Sequence, residues 1–187
     1  MGEFRNIRTL IIDPAGHSRA LLKSLLTTLQ VGRVVSVSRT DEALLTLRRE
    51  TVSIAFCDEL AGPLDPFAFL KTLRRDLKTC DVTVPVVLVS AGADYPKIVA
   101  ARDAGMNDVL VKPVSAETVE RKLRSLLLAP RAFVTTKAFV GPDRRSSGGD
   151  RRQFGERPPG EDRRSKSADA PVFAVAPRLD PDAPTTS

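Results

Sequence analysis

The sequence is poor in cysteine and has no long hydrophobic run. Two cysteines, Cys57 and Cys80, are too few for a disulfide framework, and Cys57 lies in an apolar run typical of a small buried residue. No apolar stretch reaches the roughly 18 residues that a membrane span needs, and the first residues lack the apolar core of a signal peptide. We therefore expect no membrane insertion and a cytoplasmic location.

The net charge is positive. Lysine and arginine total 29 against 23 aspartates and glutamates, which gives a formal net charge of +6. This balance favours anionic partners without naming one. The single histidine, His17, follows the first apolar run, and we interpret it as a polar residue at the start of a helix.

Short apolar runs alternate with segments of helical periodicity as far as Pro130. The runs predict five strands, at 7–12, 33–38, 52–57, 84–90 and 108–111. Leucine spacing and capping residues predict five helices, at 18–30, 40–50, 65–77, 95–105 and 115–128. Strict alternation predicts an α/β fold, a doubly wound five-stranded parallel sheet with right-handed crossovers and helices on both faces.

The periodicity stops after Pro130. Residues 131–140 are mildly apolar, and from residue 141 glycine, proline, serine, aspartate and arginine dominate. Such a composition buries too little apolar area to offset the entropy of the chain, so we expect this part to be disordered without a ligand. The predicted organisation is a folded domain at 5–129, an arginine-rich segment at 130–167 and a disordered tail at 168–187.

Polar residues lie at or just beyond the ends of four predicted strands: Asp13, Asp58, Ser90 and Lys112. The carboxyl ends of the strands form one edge of an open parallel sheet, and ligands bind at that edge. Two carboxylates there can bind Mg²⁺, and one of them can accept a phosphoryl group. A lysine and a hydroxyl can then stabilise the phosphoryl oxygens.

The motifs around these residues resemble the CheY-like receiver domain of response regulators, which has a flavodoxin-like fold. The resemblance covers about residues 7–128 and rests on "IID", "FCD", "VPVVLVSA" and "VLVKP". It implies a signalling domain that is not an enzyme, with Asp58 as phospho-acceptor and Ser90 and Lys112 as its switch hydroxyl and lysine. It also implies that Asp13 and Asp58 hold Mg²⁺ and that a histidine kinase is a partner.

Three features depart from the receiver pattern. Pro14 stands where the family usually has a second acid, and residues 59–66 replace the usual turn after the acceptor. Val109 takes the place of the aromatic residue whose rotamer often reports phosphorylation. A weak magnesium site formed by Asp13 and Asp58 and a vestigial site are both compatible with this pattern, and the departures argue against an ordinary phospho-switch.

The unit Asp-Arg-Arg occurs three times between Gly141 and Arg164, a stretch without lysine. Arginine forms bidentate hydrogen bonds and stacks on flat rings, whereas an acid beside each pair weakens simple polyanion binding. Guanine offers acceptors that suit arginine and donors that suit a carboxylate. The residues therefore predict a ligand with several guanines and phosphates, bound by Asp143, Arg144, Arg145, Asp150, Arg151, Arg152, Arg157, Asp162, Arg163 and Arg164.

The sequence "FVGPDRR" at 139–145, placed after a receiver, resembles the Cle group of alphaproteobacterial CheY-like proteins, in particular its CleD type. The resemblance names the ligand as cyclic di-GMP. It implies an adaptor whose tail orders on the second messenger and promotes docking to the flagellar motor switch at the cell pole, which tunes motility and surface attachment.

Two other hypotheses stay open from the sequence. The first is a phospho-receiver of a two-component system that is phosphorylated on Asp58, with the tail as a linker. The second is nucleic-acid binding by the arginine-rich tail, which predicts a steep dependence on salt and little preference for guanine. The sequence predicts no DNA-binding output domain.

Overall fold

The structure is a computed structural model, and it describes residues 2–76, 81–92, 94–130, 132–135, 140–143 and 172–173. Five strands alternate with five helices, as the sequence predicts. They are β1 (Arg8–Ile12), α1 (Gly16–Thr28), β2 (Arg33–Val37), α2 (Thr40–Arg49), β3 (Ile54–Asp58), α3 (Pro66–Arg75), β4 (Val86–Ser90), α4 (Tyr95–Ala104), β5 (Asp108–Val111) and α5 (Ala116–Leu123). A π-helical segment at Arg124–Leu128 extends α5.

The five strands form one parallel sheet in the order β2-β1-β3-β4-β5. Successive side chains of a strand point to opposite faces, so Leu10 and Ile12 of β1 pack in one core cluster and Ile11 packs in the other. Both faces are buried, which explains the continuous apolar runs of the strands. The predicted doubly wound parallel sheet is therefore confirmed.

Polar residues fix where the helices nearest the carboxyl edge begin. The Asp65 carboxylate accepts the N–H groups of Phe67 and Ala68 at the start of α3, and Asp94 accepts the N–H of Lys97 at the start of α4. These bonds satisfy N–H groups that have no partner inside the helix. α3 and α4 thus each begin at a carboxylate of the preceding loop.

A second, smaller sheet follows α5. It contains β6 (Phe133–Thr135), β7 (Val140–Pro142) and β8 (Val172–Phe173), all antiparallel, in the order β7-β6-β8. None of these strands is predicted from the sequence, because each has only two or three residues and lacks a clear alternation. Residues 144–171 and 174–187 lie outside the described residues, so their predicted disorder stays a prediction.

Arg74 joins this small sheet to the five-stranded domain. Its side chain is 3 % exposed and its guanidinium lies 5.1 Å from the centre of the Phe133 ring on β6. The guanidinium donates hydrogen bonds to the carbonyl oxygens of Val82, Val84 and Gly105 and to Asn107 Oδ1. Burial lowers the pKa of Arg74 to about 9, so the group remains charged at neutral pH. One buried cation therefore connects four parts of the chain: α3, the loop before β4, the loop before β5, and β6.

Replacing this cation should destabilise the fold. We expect Arg74→Met to lower the free energy of unfolding by about 3 kcal/mol, because buried carbonyl oxygens lose their donor. Urea denaturation measures the change. The matched control is Arg75→Met, since Arg75 is the exposed neighbour on the same helix and its loss should cost less than about 0.5 kcal/mol. Equal costs for the two variants would contradict the role of Arg74.

No helix in the described part of the chain is long and apolar enough to cross a membrane.

Candidate functional site

The centre of the candidate site is the ion pair between Asp58 and Lys112. Asp58 is the last residue of β3 and is 2 % exposed, and Lys112 directly follows β5. Lys112 Nζ lies 2.5 Å from Asp58 Oδ2, while Asp58 Oδ1 accepts the N–H of Leu60 at 2.9 Å. A buried carboxylate requires such compensation, because its transfer from water is costly. The two residues predicted as acceptor and lysine are therefore in direct contact.

Asp13 is a second carboxylate near the same ammonium group. It follows β1 and is 5 % exposed, and its Oδ2 lies 3.9 Å from Lys112 Nζ. Its other oxygen accepts the N–H of Ala15 at 2.7 Å, which fixes the carboxylate in a tight turn. One cation thus faces two buried carboxylates that come from neighbouring strands.

This donor set fits a magnesium ion held by two side chains. Mg²⁺ commonly takes one or two carboxylates and completes its shell with water. Asp13 and Asp58 already face one common cation, whereas Pro14 offers no side-chain oxygen. Among the described residues, no group of three or more acids, histidines or cysteines could hold a metal. Any magnesium ion here would therefore depend largely on Asp13, Asp58 and water.

Ser90, the predicted switch hydroxyl, is fully buried and is held by a neighbouring cluster. Its Oγ lies 2.8 Å from Glu59 Oε2 and 2.5 Å from the carbonyl oxygen of Gly92. Lys97 Nζ lies 2.7 Å from the same Glu59 oxygen and 3.2 Å from Ser90 Oγ. The other Glu59 oxygen accepts the N–H of Ala91 at 2.6 Å.

Glu59 and Lys97 are site residues that the sequence analysis missed. Glu59 appeared there only as part of the altered turn, and Lys97 only as part of a helix. An acid directly after the predicted acceptor, together with a lysine in the first turn of the helix after β4, is the signal that could have found them. Val109, by contrast, packs in the core at 8 % exposure.

The surroundings of Glu59 lower the pKa of its carboxyl group. Partial burial would raise the pKa of the Glu59 carboxyl, but the hydrogen bonds from Lys97, Ala91 and Ser90 and the charge of Lys97 outweigh it and lower the pKa to about 2. The carboxylate is therefore ionised throughout the neutral and mildly acidic range.

Of the predicted ligand-binding residues, the structure describes Asp143. Asp143 directly follows β7, and its backbone N–H donates to the carbonyl oxygen of Ala132 at 2.7 Å. The others lie outside the described residues: Arg144, Arg145, Asp150, Arg151, Arg152, Arg157, Asp162, Arg163 and Arg164. The structure thus brings together the strand-end residues, and the arginine repeats stay a prediction from sequence.

Comparison with known proteins identifies the family. The sequence model of the response regulator receiver domain matches residues 9–124, and the chain belongs to this family. The chain is 28 % identical over 120 residues to a probable transcriptional regulator, ycf27, of Pyropia yezoensis and 27 % identical over 120 residues to that of Porphyra purpurea. Each match covers 64 % of this chain and 47 % of the relative, so the chain spans about half the length of the curated relatives it matches.

Solved receiver structures share the fold. A putative response regulator of Chloroflexus aurantiacus is 26 % identical with a TM-score of 0.58, covering 64 % of this chain and 97 % of that one. The receiver domain of a sensor histidine kinase of Pseudomonas aeruginosa, solved with a magnesium ion in its active-site cleft, is 22 % identical with a TM-score of 0.57, covering 64 % and 95 %. Vibrio cholerae chemotaxis protein CheY4 is 20 % identical with a TM-score of 0.59, covering 65 % and 98 %. Below 25 % identity, such likeness shows the fold alone.

The lowered pKa of Glu59 predicts a pH-dependent contribution to stability. Since the pKa lies below its ordinary value of 4.5, the carboxylate stabilises the fold above that pH and loses this effect as the pH falls towards 2. We expect Glu59→Gln to lower the free energy of unfolding by about 1–2 kcal/mol at neutral pH, and the difference from wild type to shrink in acid. Urea denaturation of both proteins at several pH values measures it. A difference that stays constant down to about pH 2.5 would contradict the ion pair.

Proposed function

We propose that this receiver is a non-enzymatic signalling adaptor whose input is cyclic di-GMP, bound by the Asp-Arg-Arg repeats. The observation that carries the proposal is the threefold repeat between Gly141 and Arg164, which begins where β7 ends. Because the Asp143 backbone is bonded to Ala132, the start of the repeats is held at the small sheet, beside β6. This attachment favours a segment that acts together with the folded domain over a free linker.

The chemistry of the repeats suits a guanine nucleotide. The paired arginines can bond O6 and N7 of guanine, stack on its face and bond phosphates, while each leading aspartate can accept from N1–H and N2–H₂. A ligand with two guanines and two phosphates uses several such units at once, which helps to offset the cost of ordering the segment. Residues 131–139 and the end of the last helix would provide a docking ledge for it.

The carboxyl edge gives this proposal indirect support. Ser90 is already bonded to Glu59 and Lys97, and Val109 is a buried core residue rather than an aromatic switch. Both features argue against an ordinary phospho-switch, which uses a hydroxyl and an aromatic side chain that change position on phosphorylation. Docking of the ligand-bound form to the flagellar motor switch at the cell pole, with effects on motility and attachment, follows from the resemblance to the Cle group.

Titration calorimetry with cyclic di-GMP tests the ligand. We expect saturable binding, and a loss of affinity of about tenfold or more when Arg151 and Arg152 are both replaced by alanine, since charge-assisted bonds are lost. Asp150→Ala should also weaken binding, although it makes the segment more positive. The control is Arg178→Ala, a cation beyond the repeats, which should leave affinity unchanged. Unchanged affinity in the double variant, or tighter binding by Asp150→Ala, would contradict binding of cyclic di-GMP by the Asp-Arg-Arg repeats.

A second candidate function is phosphorylation of Asp58, and the 2.5 Å contact between Lys112 and Asp58 favours it. An Asp58 oxygen would attack the phosphorus of a phosphohistidine or small phosphodonor, whose bond to its leaving group breaks. Lys112 would neutralise the incoming phosphoryl oxygens, and Asp13 with Asp58 would hold the Mg²⁺ that supplies further charge compensation. A histidine kinase would then be the partner.

Intact-mass measurement with acetyl phosphate tests this candidate. We expect one phosphoryl adduct that requires Mg²⁺ and disappears in Asp58→Asn. The matched control is Asp65→Asn, because Asp65 is exposed and an asparagine can still cap α3. An adduct that persists in Asp58→Asn, or that forms equally well without Mg²⁺, would exclude Asp58 as the acceptor.

A further inference from the structure

Three hydrogen-bond donors converge on the carboxylate of Glu59. Ser90 Oγ and Lys97 Nζ lie 2.8 and 2.7 Å from Oε2, and the Ala91 N–H lies 2.6 Å from Oε1. The single Ser90 hydroxyl proton is shared between Glu59 Oε2 and the Gly92 carbonyl oxygen, 2.5 Å away. The Glu59 side chain is 21 % exposed and that of Lys97 is 33 % exposed, so the bonds form in a partly screened environment. Both oxygens of the carboxylate are therefore occupied by donors from the end of β4, the loop that follows it and α4.

These contacts tie three elements together. Glu59 follows β3, and its own N–H donates to the carbonyl oxygen of Val89 at 2.9 Å. Ser90 ends β4, and Lys97 lies in the first turn of α4. A single side chain thus fixes the end of β4 and the start of α4 relative to the end of β3.

The donor set is one that would bind a phosphoryl group. A hydroxyl, an ammonium and a backbone N–H are the groups that stabilise anionic oxygens in proteins. Ser90 follows Val89, the residue that pairs with Asp58 in the sheet, yet the three donors already have an anion as partner. A phosphoryl group on Asp58 would therefore have to compete with Glu59 for Ser90.

We infer that Glu59 is a resident anion, a positioning residue that holds Ser90, Ala91 and Lys97 as a bound anion would. The start of α4 is then set without any modification of Asp58. This makes the α4 side of the receiver a fixed surface and leaves regulation to other parts of the chain. The inference requires neither cyclic di-GMP binding nor phosphorylation.

Amide hydrogen exchange measured by NMR on the full-length chain tests the inference. We expect the Ala91 amide to exchange about tenfold or more faster in Glu59→Ala than in wild type, because it loses a charge-assisted acceptor. Lys97→Met should leave that amide protected, since the Glu59 bond to Ala91 remains. The matched control is Arg102→Met, which removes an exposed cation from the same helix and should change nothing. Unchanged exchange at Ala91 in Glu59→Ala would overturn the inference.

Rescue by a free anion distinguishes a resident anion from a merely structural side chain. Inorganic phosphate, exchanged for chloride at constant ionic strength, should slow the Ala91 amide again in Glu59→Ala. It should have no effect in wild type, and it should fail in the double variant Glu59→Ala with Lys97→Met. If phosphate slows the amide equally in wild type, or not at all in Glu59→Ala, the three donors do not form an anion site. None of these readouts depends on the ligand of the repeats or on labelling of Asp58.

Discussion

The parallel pairing of the five strands is the constraint on which the site depends. Because every strand of the sheet runs in the same direction, the residues that follow them emerge at one edge. The order β2-β1-β3-β4-β5 makes β1 and β3 neighbours, so Asp13 and Asp58 meet at Lys112. The next pairing, β3 with β4, brings Glu59 to Ser90 and Lys97. Two adjacent clusters of charge therefore arise from the connectivity of one sheet.

The two clusters balance their charges differently. At Asp58 the carboxylates of Asp13 and Asp58 share one ammonium, so this cluster retains a negative excess that a divalent cation could reduce. At Glu59 one carboxylate contacts one ammonium, one hydroxyl and one amide, so the charges balance and both carboxylate oxygens have hydrogen-bond partners. The first cluster is consequently the one that can respond to a ligand, whereas the second holds the surrounding backbone in place.

The small sheet gives the C-terminal part of the chain a defined connection to the receiver. Phe133 packs against the buried guanidinium of Arg74, and that guanidinium also bonds the loop before β5. This junction is formed by α3, the loops before β4 and β5, and β6, whereas Asp58 and Lys112 occupy the carboxyl edge.

Much of the fold could be predicted from sequence, because the signals are local. All ten elements of the receiver are predicted from apolar runs and helical spacing, with Ser115 and Gly105 as capping residues. The positions of the strand ends point to Asp13, Asp58, Ser90 and Lys112 as candidate site residues. The roles of Glu59 and Lys97 could not be predicted, since the two residues lie 38 positions apart. Their contact joins the loop after β3 to the first turn of α4. The strands β6, β7 and β8 were missed because strands of two or three residues carry almost no periodicity.

The most direct test of the proposed adaptor is an NMR titration of the full-length protein with cyclic di-GMP. Binding by the repeats predicts large shifts for amides of residues 141–164 and for Phe133 beside Arg74, with little change at Asp58, Ser90 and Lys97. Shifts concentrated at the Asp58 edge, or no saturable shift anywhere, would contradict it.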